Sequence, residues 1–172
     1  MFRLITTVFA LALSVSAAAL PTVDSRGIFD ATRTISSSRV VNTTVDAALA
    51  AVKDPKTLIT LSPLVTGVKQ DASDSSLYHI TDMINILGIK IPTEYTAKFT
   101  FYDDGVDSDT NASGVHLINK WRVKSTPEGT QVSEEANLET NVLLVSFVEE
   151  QIRTSHGQLL DAMAGLLNKQ QA

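Results

Sequence analysis

VDAALAAVKDPKTLITLSPLVTGV, residues 45–68, changes its periodicity halfway along, and that change decides the fold. Its first part is rich in Ala and Leu, which favour helix, with Asp46 as an acceptable N-cap and a stop at Asp54-Pro55. Lys56–Leu61 predicts a second short helix, ended at Ser62-Pro63 because the residue before proline avoids helical angles. The two make a helical elbow. From Leu64 onward the apolar period shifts toward two, the period of a strand whose side chains alternate between faces.

Downstream, the strand candidates are Leu64–Lys69, Ser76–Ile84, Ile89–Tyr102, Val115–Ser125 and Thr130–Thr140. Turn-rich pieces separate them: DASD, NILG, DDGVDSDTNASG and TPEG. Links this short imply an antiparallel meander, and the acidic stretch Asp103–Gly114 reads as its longest loop. The clearest alternation sets Tyr95, Ala97, Phe99 and Phe101 against Thr96, Lys98 and Thr100. Phasing the neighbours by the same rule predicts three more inward sets. These are Tyr78, Ile80, Asp82 and Ile84; Leu117, Asn119, Trp121 and Val123; and Val132, Glu134, Ala136 and Leu138. Each of the three contains one polar residue.

The last thirty residues read as one long helix, with Val145, Val148, Ile152, His156, Leu159, Met163 and Leu166 recurring at steps of three and four. His156 falls near the centre of that stripe, while Glu150, Thr154, Asp161 and Asn168 fall opposite. Upstream of the elbow, Thr34–Val41 predicts a first strand. Residues 20–33 form an aperiodic lead-in, and residues 1–19 have the make-up of a secretory signal peptide: Arg3, an apolar run, and a small-residue site ending at Ala19. That run is shorter than the ~20 residues that span a bilayer. A secreted chain is therefore expected, with no integral membrane segment. The expected organisation is a signal peptide over 1–19, a lead-in over 20–33 and a single domain over 34–170.

Strand, two short helices, antiparallel strands and a long C-terminal helix form the element order of the helix-grip fold. The stretch over 45–68, with Asp54-Pro55 as an "xDP" turn and Ser62-Pro63-Leu64-Val65 as an "SPxV" strand entrance, resembles the opening of the START-like, or SRPBCC, superfamily. More loosely the likeness spans residues 34–168, and the mature chain resembles fungal members without an assigned function. The resemblance implies an α+β fold in which a curved antiparallel sheet wraps around the C-terminal helix and leaves an apolar cavity between them. Members include sterol and lipid carriers, pollen-allergen-like binders and polyketide cyclases. The His/His/carboxylate iron site of the oxygenase branch is not visible here.

Composition narrows the function. The net charge is −5, and no basic patch forms, which argues against nucleic acid as a partner. With no cysteine, thiol nucleophiles, thiolate metal sites and disulfides are excluded. The three histidines, His79, His116 and His156, lack metal-ligand spacing, and alternation turns the first two outward. No nucleophile elbow, P-loop or dinucleotide fingerprint occurs, so no metal or cofactor is expected. Asn42 and Asn111 open N-x-S/T patterns and are the expected glycosylation sites.

Asp82, Asn119, Glu134 and His156 are thus the polar candidates for one cavity, with Ile80, Phe99, Phe101, Trp121, Leu138, Ile152 and Met163 as its expected walls. His156, Glu134 and Asp82 are the candidate acids and bases, since burial moves carboxylate and imidazole pKa values toward each other. The plainer readings stand beside these: His156 as a satisfied core residue, Asp82 solvated near a strand end, and the aromatics as filler. A slip of one residue would exchange Glu134 for Glu135. Ser155 and His156 point about 100° apart on a helix and form no nucleophile–base pair by themselves. Three functions remain: binding of a hydrophobic small molecule (a lipid, sterol or polyketide-like metabolite); cofactor-independent cyclase, dehydratase or pericyclase chemistry in the same cavity; and action through the outer surface. No exposed apolar run is evident in the sequence to favour the third.

Overall fold

The computed structural model describes residues 30–86, 89–112 and 114–169. The expected signal peptide over 1–19, and the lead-in as far as residue 29, lie outside the described residues. Residues 30–33 do not belong to a lead-in, because strand β1 covers Asp30–Val41. Its apolar face begins only at Ile35, which hid the earlier part.

Two helices follow, α1 over Val45–Val52 and α2 over Pro55–Thr60. Thr44, rather than Asp46, caps α1: its hydroxyl accepts from the Ala47 N–H at 3.2 Å. Asp54 caps α2 through its carboxylate, which takes the Lys56 N–H at 3.1 Å and the Thr57 hydroxyl at 2.6 Å. Pro55 at the first helical position loses no bond there, because that N–H has no partner within the helix.

Six further strands complete the sheet: β2 Val65–Gln70, β3 Leu77–Ile86, β4 Ile89–Tyr102, β5 Gly105–Ala112, β6 Val115–Thr126 and β7 Gly129–Asn141. The order across the sheet is β1-β7-β6-β5-β4-β3-β2, and all six pairings are antiparallel. Helix α3, Val145–Lys169, crosses the inner face. This is the α+β helix-grip architecture.

Asp103–Gly114 is not a loop. Most of it is β5, paired on both sides, with Val106 and Ser108 buried and Asp107 opposite Lys120 on the outer face. Its alternation uses Ser108 and Thr110 where apolar residues are usual, so hydropathy concealed it. The strand needs Gly105 at its start: a Cβ there would lie 1.9 Å from the Trp121 carbonyl oxygen. Asn111 consequently sits on a strand, its side chain still exposed, as is that of Asn42.

The core divides in two along α3. Leu159, Leu160, Met163 and Leu167 pack with α1, α2 and the middle strands, while Val145 and Ile152 pack with Ile35, Leu117, Ala136 and Leu138. Burying such side chains contributes on the order of 2 kcal/mol each. Polar contacts fasten the helix to β1: Arg39 to Asp161 at 2.7 Å, Arg33 to Glu149 at 3.2 Å, and the Asn42 N–H to the Asn168 amide oxygen at 2.9 Å. An exposed apolar run does exist, contrary to expectation. Val142, Leu143, Leu144 and Phe147 are all exposed where β7 turns into α3, Leu143 to 88%. Among the described residues no helix is long and apolar enough to cross a membrane.

Candidate functional site

Between α3 and the concave face lies a cavity of about 110 Å³. Register explains its polar lining. β3 alternates Tyr78, Ile80 and Asp82 inward, and all three are buried. Asp82 is thus enclosed rather than solvated, and β2 bulges opposite it, with Thr66 as the extra residue between Val65 and Gly67. Asp82 and Tyr95 form a diagonal cross-strand pair in which the phenol donates to Oδ2 at 3.0 Å.

Burial pushes the Asp82 carboxyl above its ordinary value, opposed by the Tyr95 hydrogen bond and by the charge of His156. The phenol of Tyr95 is driven well upward by burial and by the Asp82 charge, so it remains a donor. On β6, Asn119 lies directly across from Ser108 and donates to its hydroxyl at 3.4 Å. On β7, Glu134 is opposite Trp121 and only 3% exposed. The unbroken β6–β7 register excludes the one-residue slip: Glu135 faces outward, with Lys120 at 3.2 Å and the Asn137 amide at 3.0 Å. Those two neighbours hold the Glu135 carboxyl below its usual value.

His156 comes down from α3 onto Glu134. Its Nδ1 is 2.7 Å from Oε1, with the imidazole side chain 17% exposed, at the edge of the cavity rather than the centre of the stripe. The distance is that of an ion pair once the imidazole is protonated, yet the two atoms are not aligned as donor and acceptor. Neither has a hydrogen-bond partner among the described residues, and the same holds for Oδ1 of Asp82 and Oδ1 of Asn119. Buried polar atoms are nearly always paired, so four such atoms on residues that line one cavity mark it out from the rest of the core. Ser155 also faces the cavity, but its hydroxyl donates to the Gln151 carbonyl at 2.7 Å, one turn back. It is no nucleophile for His156.

Ile80, Phe99 and Trp121 line the space as expected. Four expected wall residues do not. Phe101 lies on the concave face, opposite buried Val106, but at the end of β4, where it is 50% exposed. Leu138 and Ile152 are buried in the cluster around the start of α3, and Met163 is buried against α1 and the middle strands; all three are packing residues. Tyr95, Ser108 and Thr110, together with Leu58, Ile59 and Leu159, are walls that the sequence reading left unassigned. Alternation pointed Tyr95 inward, and the same signal in β5 marks Ser108 and Thr110. The outward histidines make surface pairs, His79 with Asp71 and His116 with Asp109, each at 2.9 Å. No cluster suited to a metal ion occurs among the described residues.

A seven-stranded antiparallel sheet gripping one long helix, with a cavity between them, defines a protein of the helix-grip fold. The chain belongs to the family described as "Domain of unknown function (DUF7053)", which matches residues 40–169. No curated protein matches the sequence. Among solved structures, a point mutant of norcoclaurine synthase from Thalictrum flavum, in complex with a transition-state analogue, is 17% identical, with a TM-score of 0.65 over 85% of this chain and 100% of that one. The ZhuI aromatase/cyclase from Streptomyces sp. R1128 is 12% identical, with a TM-score of 0.68 over 83% and 97%. Ara h 8.0201 is 10% identical, with a TM-score of 0.61 over 80% and 98%. At these identities the likeness is one of fold.

Proposed function

We propose that the chain binds a small, mainly hydrophobic molecule in the cavity beneath α3. One observation carries this reading: apolar walls from α2, β3, β4 and α3 line one space together with Asp82, Asn119, Glu134 and His156, each of which keeps a buried side-chain atom outside the hydrogen bonds of the described residues. Specific pockets are built this way, with apolar area for affinity and a few polar atoms for orientation. The volume sets the scale of the guest. An engineered cavity of about 150 Å³ admits benzene, so about 110 Å³ suits a single-ring body; a sterol or an extended polyketide requires α3 to move outward. The composition of residues 1–19 supports secretion, and Asn42 and Asn111 are then the glycan acceptors.

The test uses the chain's one tryptophan, Trp121, which forms part of the wall. Titration with toluene and benzyl alcohol is expected to give a saturable change in its fluorescence, and native mass spectrometry to show one guest per chain. No response to any single-ring probe would overturn the reading.

Acid–base chemistry in the same cavity is a second reading, favoured by the raised pKa of Asp82 beside a donating phenol and by the contact of His156 with Glu134. Two of the structural neighbours are named as a synthase and an aromatase/cyclase. Cyclase, dehydratase or pericyclase turnover by shape and proton transfer would need no cofactor. Exchange of the α-protons of acetophenone for deuterium, followed by NMR, would expose such a base. Catalysis by the wild-type chain that survives both His156→Ala and Glu134→Gln would remove these two residues from the role.

A further inference from the structure

We infer that one end of the molecule docks on a lipid surface of no net charge. The inference goes beyond the cavity reading and does not rest on it. Antiparallel pairing settles which connections share an end. The entry to β2, the β3–β4 and β5–β6 connections and the exit from β7 into α3 lie at one end, and the β2–β3, β4–β5 and β6–β7 connections at the other. The two ends differ in composition. Residues 61–64, 86–89, 112–115 and 141–144 read LSPL, ILGI, ASGV and NVLL, without an ionisable side chain. At the other end, residues 71–76, 103–104 and 127–128 bring Asp71, Asp74, Asp103, Asp104 and Glu128, and no base.

The uncharged end also presents apolar side chains to solvent. Leu143 is 88% exposed and Ile89 66%, with Val142, Leu144 and Phe147 exposed as well. β2 pairs along β3 only as far as Asp82, and β5 along β4 only as far as Thr96. The rest of the β3–β4 hairpin, where Ile84 lies opposite Ile91, therefore runs beyond its neighbours. None of these seven apolar residues belongs to either core cluster. Core packing does not account for them, and contiguous exposed apolar surface marks a place of contact.

Shape and charge together point to lipid. The exposed groups stand on two separate connections, the β7–α3 turn and the β3–β4 hairpin. A fluid interface takes up such tips as it takes up the apolar face of an interfacial helix, whereas a protein partner must supply a complementary surface. The chain carries a net charge of −5, so an anionic membrane repels it, and the acidic turns keep the other end in water. Phe101 and Tyr102, exposed at that other end, adjoin Asp103 and Asp104, which hold them away from lipid. Asp30, opposite Asn141, and Lys90, after Ile89, flank the uncharged end with one charge of each sign. A zwitterionic headgroup matches that pattern.

The experiment mixes the chain starting at Leu20, which lacks the apolar run of residues 1–19, with phosphatidylcholine vesicles and follows flotation. The chain is expected to float with the vesicles, to the same extent at ~0.1 and ~1 M NaCl, because burial of apolar groups is not screened by salt. Leu143→Asp is expected to weaken binding about tenfold or more. Phe101→Asp makes the same change of charge at the acidic end and leaves binding as it was. Leu143 has no place in the core, so its variant folds as wild type does, which circular dichroism checks. Absence of flotation, an equal loss from Phe101→Asp, or binding that rises with phosphatidylserine and falls with salt would overturn the assignment. So would a dimer in solution that Leu143→Asp dissociates, since the same end would then belong to a second copy of the chain.

Discussion

A carboxyl whose pKa is raised by folding, as that of Asp82 is, holds its proton more tightly in the folded chain than in the unfolded one. Over the interval between the two pKa values the folded state therefore binds more protons, and stability falls as pH rises. The interval begins at the ordinary carboxylate value of 3.8 and extends upward; below it both states are protonated and Asp82 contributes no pH dependence. Asp82→Asn is thus expected to melt at a higher temperature than wild type at pH 7, with the gap shrinking as pH is lowered toward 4. Thermal unfolding at several pH values checks this, and a gap that does not change with pH would exclude desolvation as the cause. That Asp82, Asn119 and Glu134 face the cavity was legible from alternation, because a period of two fixes which face a side chain takes. Phe101 marks the limit of the same rule. It shares the concave face but lies at the end of its strand and is half exposed, and nothing in a strand's own sequence says what covers it.

Among the elements, α3 is held in place by two kinds of contact that differ in worth. Arg39 and Asp161 are 2.7 Å apart, but their side chains are 41% and 64% exposed, and exposed pairs contribute about 0–1 kcal/mol. Met163, in the C-terminal half of the same helix, is fully buried among α1 and the middle strands. Asp161→Ala should therefore lower the unfolding free energy by less than about 1 kcal/mol, and Met163→Ala by about 2–5 kcal/mol, both measured by urea denaturation. A larger loss from Asp161 than from Met163 would mean that polar clasps, rather than packing, hold the grip. The helix itself was plain in the sequence because seven positions repeat at its period. β5 was not, since its inward side chains after Val106 are Ser108 and Thr110 and its outward ones are acidic. A strand whose buried face is the polar side of a cavity lacks the apolar signal by which strands are recognised, so the element that misled the sequence reading is one that builds the site.

For the molecule as a whole, the question is how much of the space under α3 is open to a guest. The sheet runs from β1 through β7 to β2, and α3 is held at the β1 edge by Arg33, Arg39 and Asn42, so the helix is anchored on one side of the cavity. Leu58 and Ile59 of α2, Val65 of β2 and Leu159 of α3 are among the apolar side chains that line it. With α3 in place, their bulk limits the size of the guest. Leu159→Ala removes the wall group that α3 itself supplies, and it should cost about 2–5 kcal/mol in stability, as large-to-small core changes do. In return it enlarges the cavity toward two-ring guests. Wild type is expected to prefer toluene to 1-methylnaphthalene, and Leu159→Ala to reverse that order, with Trp121 fluorescence as the common readout. Equally tight binding of the naphthyl compound by wild type would mean that α3 swings away from its β1 anchor to admit it. The size of the natural guest would then be governed by the motion of the helix, with the closed volume as its lower bound.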